Sequence, residues 1–134
     1  MASRIYLDAN IVLDFLSPER PGHSNAIKAM SILVQRSDTI IISEDILTTV
    51  YYIAKDKQKA VAFFELIRHR WSIVHFGSDV IAEALQRVLV SHEDLEDTLQ
   101  CLCAKQEGCA LILTEDKGFV DCGVEVVDYG GFLS

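Results

Sequence analysis

Residues 5–16 read Ile5-Tyr6-Leu7-Asp8-Ala9-Asn10-Ile11-Val12-Leu13-Asp14-Phe15-Leu16, and residues 110–116 read Ala110-Leu111-Ile112-Leu113-Thr114-Glu115-Asp116. Each begins as a short, wholly apolar run and then meets an aspartate. Runs without alternation suit strands buried on both faces, as in a parallel sheet. Outward from these two runs, strand and helix patterns alternate. Thr39–Ile42, Trp71–His75 and Val124–Val127 read as further strands. Asp14 breaks the first apolar segment, and Pro18 and Pro21 close it. Helical spacing follows over His23–Gln35, with Ile27, Met30, Leu33 and Val34 apolar. Ser43 reads as an N-cap with Glu44 and Asp45 in the first turn, and Ile46, Leu47, Val50, Tyr51 and Ala54 form that helix's stripe. Ala60–Ile67 continues helical. Ser78 caps a helix whose apolar face is Ile81, Ala82, Leu85, Val88 and Leu89. Ser91 opens another, with Leu95, Leu99, Leu102 and Cys103 inward. The alternation predicts an α/β fold with a parallel sheet covered on both faces. Without a repeat, low-complexity segment or internal boundary, residues 1–134 read as a single domain.

Composition narrows the class. Half of the 134 residues are hydrophobic, and only two prolines and seven glycines occur, which favours a sizeable core over disorder. No apolar run is long enough to span a bilayer and no signal peptide is visible, so a soluble, cytoplasmic protein with no membrane partner is expected. The four cysteines, Cys101, Cys103, Cys109 and Cys122, form no C-x-x-C pair. They read as buried or idle thiols of a reducing compartment. A net charge of −8 argues against a general nucleic-acid-binding surface. It leaves a nuclease open, because clustered metal-binding carboxylates are themselves acidic. Lys55, Lys57, Lys59, Arg68 and Arg70 crowd one stretch, read as a solvated helical face ahead of a phosphate-tracking patch.

In open α/β sheets, sites form at the carboxyl ends of strands where the strand order reverses. That places Asp8 and Asp116 at strand ends, where they meet if their strands are neighbours. Asp94 and Asp97 are spaced i, i+3, on one face of a helix and beside its buried side. Glu96 points elsewhere and is expected to be solvated. Carboxylates without His or Cys suit Mg²⁺ or Mn²⁺. Crowded like charges raise one another's pKa, and a divalent cation removes that cost. The chemistry so implied is metal-assisted hydrolysis of a phosphodiester. Each acid also has a purely structural reading. Asp8 can cap the following helix, Asp94 can partner Ser91 in a capping box, Asp97 can be surface, and Asp116 can be a loop or N-cap residue.

Tyr6-Leu7-Asp8-Ala9-Asn10-Ile11-Val12-Leu13-Asp14-Phe15-Leu16 resembles the opening motif of PIN domains. Asp94-Leu95-Glu96-Asp97-Thr98-Leu99-Gln100 resembles their central acidic helix, and Ala110 to Phe119 their late strand and T-x-D-x-x-F turn. The order and spacing agree over essentially the whole chain. The resemblance implies a three-layer α/β/α fold with a central parallel sheet of about five strands. It also implies a Mg²⁺- or Mn²⁺-dependent ribonuclease acting on RNA, often the toxin of a toxin–antitoxin pair of the VapC type, with an antitoxin partner and often a homodimer. On it, Asp8, Asp97 and Asp116 match metal-site acids, and Asp94 matches an extra acid of a subgroup. Asn10 and Thr114 match supporting polar positions. One position departs: Thr49 stands where many PIN domains carry a helix glutamate, while Glu44 and Asp45 fall one to two turns earlier. Gly118 is likewise neutral where some relatives carry an acid. The apolar residues Val50–Ile53 read as core first and dimer contact second.

The competing class is a PIN-like binding module with weakened catalysis, which Thr49 favours. A haloacid-dehalogenase-type phosphatase would want an aspartate at Asn10, and a response-regulator receiver leaves the Asp94/Asp97 pair unexplained.

Overall fold

The computed structural model describes residues 2–134. Five strands, β1 (Arg4–Leu7), β2 (Thr39–Ser43), β3 (Ser72–Val74), β4 (Leu111–Leu113) and β5 (Glu125–Val127), form one sheet in the order β3-β2-β1-β4-β5. Every pairing is parallel. Between them run α1 (Ala9–Leu16), α2 (His23–Gln35), α3 (Glu44–Ile53), α4 (Lys57–Ile67), α5 (Gly77–Ser91) and α6 (Leu95–Gln106), and α7 (Tyr129–Leu133) follows β5. Helices α1, α2, α3, α4 and α7 pack among themselves, whereas α5 packs on α6 and α6 lies against β2 and β4. The result is the three-layer α/β/α arrangement. No helix among the described residues is long and apolar enough to cross a membrane.

The topology fixes the site. After β1 the chain winds outward through β2 to β3, then returns to β1's other edge as β4. The order therefore reverses between β1 and β4, the position where α/β folds open a crevice. The N–H of Asp8 bonds to Leu113 O at 3.1 Å, joining the two strand ends there. Beneath lies the core: Ile5, Tyr6, Leu7, Ile41, Ile42, Ile112 and Leu113 have no accessible surface.

Several helical details differ from expectation. Helix α5 buries Val80 and Ala84, leaving Ile81 43%, Leu85 49% and Leu89 79% exposed. Its principal neighbour is α6, so a narrow stripe suffices. Leu95 is exposed, while Thr98, Gln100, Cys101, Leu102, Cys103 and Ala104 are buried, because α6 is covered by the sheet on one side and α5 on the other. On α2 the buried residues are Ala26, Ala29, Met30 and Leu33, and Ile27 and Val34 face outward. Val50 belongs to the core, but Tyr51, Tyr52 and Ile53 are exposed. Helix α5 starts at Gly77, so Ser78 lies inside it. Ser91 opens no helix: it ends α5, its hydroxyl donates back to Arg87 O at 2.8 Å, and His92 takes a left-handed φ of 60°. Asp94 instead is the N-cap of α6.

The cysteine expectation is overturned in part. Cys101 on α6 and Cys122 form a disulfide, with Cα atoms 6.1 Å apart. The segment after β4 folds back over α6, burying Val120. Cys103 and Cys109 remain free, their thiols pushed up to about 12 and about 11, chiefly by burial. Two members of the basic stretch, Lys57 and Arg68, are engaged in local structure. Lys57 Nζ donates to the carbonyls of Tyr51, Tyr52 and Ala54 at the end of α3, and Arg68 pairs with Glu65.

Candidate active site

Asp8 follows β1 and serves as the N-cap of α1, so its structural reading holds. Its Oδ1 accepts from Ala9 N at 2.7 Å. Its Oδ2 accepts from Thr114 Oγ1 at 2.7 Å and from Asn10 Nδ2 at 3.1 Å. Asn10 Oδ1 in turn accepts from Glu115 N at 3.2 Å, so Asn10 ties the β1 end to the β4 end. Thr114 Oγ1 also accepts from Asp116 N at 3.1 Å, and Asp116 Oδ1 accepts from Gly118 N at 2.9 Å. Asp8 and Asp116 thus sit across the switch point, fixed through one threonine and one asparagine.

The α6 acids approach the same place. Asp94 Oδ1 accepts from Asp97 N at 2.9 Å, which caps the helix and aligns both side chains with its first turn. Asp97 feels the charges of Asp94, Asp116 and Asp8. Burial first, then these charges, push its carboxyl up to about 7. The Asp8 carboxyl is also raised, by burial first and by Asp116 among the charges, against the lowering hydrogen bonds from Thr114, Ala9 and Asn10. No ion pair among the described residues involves Asp8, Asp94, Asp97 or Asp116. The structure therefore draws the four acids together and gives them no cationic partner. Among the described residues, as they stand, no three His, Cys, Asp or Glu side chains are grouped so that they could hold a metal ion.

Glu96 is exposed, but it is not remote from the site. Its carboxyl is raised, by burial first and then by Asp45, Asp8 and Asp94. Thr49 sits half-buried on α3 and shares no hydrogen bond with the acids. Two groups escaped the sequence reading. Asp14 sits buried inside α1 instead of breaking the segment, accepting from Tyr129 Oη at 2.9 Å and Arg20 Nε at 2.8 Å. A Cβ at Gly22 would overlap its carboxylate, which explains the glycine there. Glu115 Oε2 accepts from Tyr129 N at 2.7 Å, so the residue before Asp116 holds α7 in place. The second group is Ser43, Asp45 and Gln100, hydrogen-bonded to one another where β2, α3 and α6 meet. Ser43 is the N-cap residue of α3, yet its hydroxyl makes no capping bond. The signal for this group was present as two polar residues at a strand end and a glutamine one turn past Asp97. Beside Asp116 an open cavity of about 480 Å³ is lined by Thr114, Lys117, Phe119, Val127 and Asp128, within the usual size for a small-ligand site.

A crevice at the switch point of a five-stranded parallel sheet, walled by aspartates without ion-pair partners, is an arrangement that α/β domains use to act on phosphate groups. Residues 5–124 match the PIN domain model, and the chain belongs to the PIN domain family, on its VapC-like branch. It is 33% identical over 130 residues to Ribonuclease VapC1 of Aquifex aeolicus (strain VF5), covering 94% of this chain and 90% of that protein. Its fold matches crystal structures of Mycobacterium tuberculosis VapC20, a sarcin-ricin loop cleaving toxin (TM-score 0.75, 15% identity, 90% of this chain and 95% of that one), and VapBC2 from Rickettsia felis bound to a promoter DNA fragment (TM-score 0.68, 18% identity, 93% and 98%). This membership displaces the phosphatase and receiver alternatives.

Proposed function

We propose that the chain is a Mg²⁺- or Mn²⁺-dependent endoribonuclease that hydrolyses RNA phosphodiester bonds as the toxin of a toxin–antitoxin pair. The observation that carries it is the convergence of Asp97 with Asp94, Asp116 and Asp8, close enough to feel one another's charge and with no ion pair to any of them among the described residues. An all-carboxylate donor set fits a hard divalent ion, and Asp8, Asp94, Asp97 and Asp116 would hold it. Such an ion supplies charge neutralisation at a phosphodiester oxygen and a more acidic water. The chain's own residues do the rest. Thr114 and Asn10 fix the Asp8 carboxylate, and Asp94 sets the first turn of α6, which carries Asp97. The ribonuclease name of the Aquifex relative supports the reaction class.

Exposed apolar surface supports the protein partners. A groove of about 410 Å³ between α2 and α4, lined by Phe15, Ile27, Val34, Phe63, Leu66 and Trp71, suits an antitoxin segment. Tyr51, Tyr52 and Ile53 offer a homodimer contact. RNA as substrate fits a cytoplasmic protein. Thr49 favours a second reading, a binding module with weakened cleavage.

Cleavage of RNA with Mn²⁺ against EDTA separates the two. The parent protein should cut only with Mn²⁺. Asp97→Asn should lower the rate at least about a hundred-fold while leaving far-UV circular dichroism unchanged, a loss of the size that removal of one electrostatic group at a reacting centre produces. Equal cleavage in EDTA, or full activity in Asp97→Asn, refutes the proposal.

A further inference from the structure

A ring of hydrogen bonds, buried at Tyr6, Ser43 and Gln100 and half-buried at Asp45, uses none of the four acids. Tyr6 on β1, two residues before Asp8, donates from its hydroxyl to Ser43 Oγ at 2.9 Å. Ser43 Oγ lies against both Asp45 Oδ1 and, at 3.2 Å, Gln100 Oε1. Gln100 Nε2 donates to Asp45 Oδ2 at 2.8 Å. Ser43 has no accessible surface and Gln100 only 1%. The ring joins β1, β2, α3 and α6, and Gln100 stands one turn beyond Asp97.

The register sets Asp45 beside the site. Tyr6 pairs with Ile41 across the parallel β1–β2 ladder, so Asp8 and Ser43 occupy neighbouring strand ends. Adjacent strands lie about 4.8 Å apart. Asp45 follows two residues later, and its carboxylate folds back onto Ser43. The negative charge of Asp45 reaches Glu96 together with those of Asp8 and Asp94.

The proton count separates structure from function. A serine hydroxyl carries one proton and a carboxylate carries none. Tyr6 supplies its own proton to Ser43, so Ser43 can satisfy Asp45 or Gln100 Oε1 but not both. An amide at position 45 would close the ring. Its NH₂ would donate to Ser43, Ser43 to Gln100 Oε1, and Gln100 Nε2 to the amide oxygen. A network built only for stability would be served as well by that amide, which closes every bond within the ring. With the carboxylate, half-buried Asp45 leaves one ring acceptor to solvent, and what it adds over an amide is charge.

We infer that Asp45 is the carboxylate that α3 contributes to the cleavage site, with Ser43 and Gln100 as its positioning residues, and that its charge strengthens the hold on a divalent cation. This rests on the metal-dependent reading above. It also gives the site an acid from the α3 side, where Thr49 offers none.

The test is Mn²⁺ titration by calorimetry, with thermal unfolding of the metal-free proteins, on the parent, Asp45→Asn and Asp8→Asn. The metal-free Asp45→Asn protein should melt at or above the parent's temperature, because the amide completes the ring. Its Mn²⁺ affinity should fall about ten-fold or more, the loss typical of disturbing groups around a metal site. Asp8→Asn should lose affinity as well. If Asp8→Asn loses affinity and Asp45→Asn stays within about two-fold of the parent, the Asp45 assignment is overturned while the metal site stands. An Asp45→Asn protein that fails to fold overturns it too, because the amide ring is then wrong. A parent that takes up no Mn²⁺ overturns the metal reading and this inference with it.

Discussion

Reducing the Cys101–Cys122 bridge should destabilise the protein by about 3 kcal/mol. The bridge closes a chain segment of sequence separation 21. A loop of that length removes roughly 2.1 + 1.5R ln 21, about 11 cal/mol/K, from the unfolded chain, or about 3.3 kcal/mol at 25 °C. For a chain of 134 residues at about 2.1 cal/mol/K of unfolding entropy per residue, this lowers Tm by about 12 °C. Thermal unfolding with and without a phosphine reductant measures it, and thiol titration in denaturant should count two free thiols before reduction and four after. A Cys101→Ala/Cys122→Ala variant should be indifferent to reductant. Four titratable thiols in unreduced protein, or a reductant shift under about 2 °C, would refute the reasoning. The bridge also bears on the site: Cys101 is one helical turn past Asp97, and Cys122 lies on the segment that follows Asp116.

Two further predictions concern charge and the α1–α7 anchor. The Asp97 carboxyl is raised from 3.8 to about 7, so the folded protein binds more protons than the unfolded chain between those values, and metal-free stability should fall as pH rises through that window and level off above it. The full shift corresponds to about 4 kcal/mol, reduced by solvent screening of a half-exposed carboxyl to roughly 1–2 kcal/mol; urea unfolding from pH 4 to 8 measures it, and stability that climbs across the window contradicts the cause. Tyr129→Phe removes the buried bond to Asp14 and should lower stability by about 1.5–3 kcal/mol, seen as a lower urea midpoint at unchanged slope, and a loss below about 0.5 kcal/mol would show that Arg20 alone satisfies Asp14.

The sheet was legible because its strands are buried on both faces. Ile5–Leu7 and Leu111–Leu113 read as buried parallel strands, and the fold makes them neighbours. Helix faces were less legible. A stripe rule assumes one buried side, but α6 is covered on two and α5 on little more than α6, so Leu95 and Leu89 point outward against the pattern. Ser91 misled because a serine near a helix end can donate back to a carbonyl as readily as cap the next helix. The disulfide was illegible because its partners meet only through a tertiary fold-back, with no local motif to announce it.

The acids show a different limit. Asp8 caps α1, Asp94 caps α6, and Asp116 closes its own turn through Gly118, so three of the four site residues also do the structural work that a bland reading assigns them. Structural and chemical roles are therefore not rivals at these positions. A cap uses one carboxylate oxygen and leaves the second for other partners: Oδ1 of Asp8 takes Ala9 N while Oδ2 accepts from Thr114 and Asn10 at the strand switch. Helix N-termini are also where a carboxylate is favoured by the helix dipole. That favourable field offsets part of the repulsion between the acids, which is how a fold can keep unpaired negative charges together before any cation arrives. Asp97 alone has no capping role, and its carboxyl is driven up to about 7.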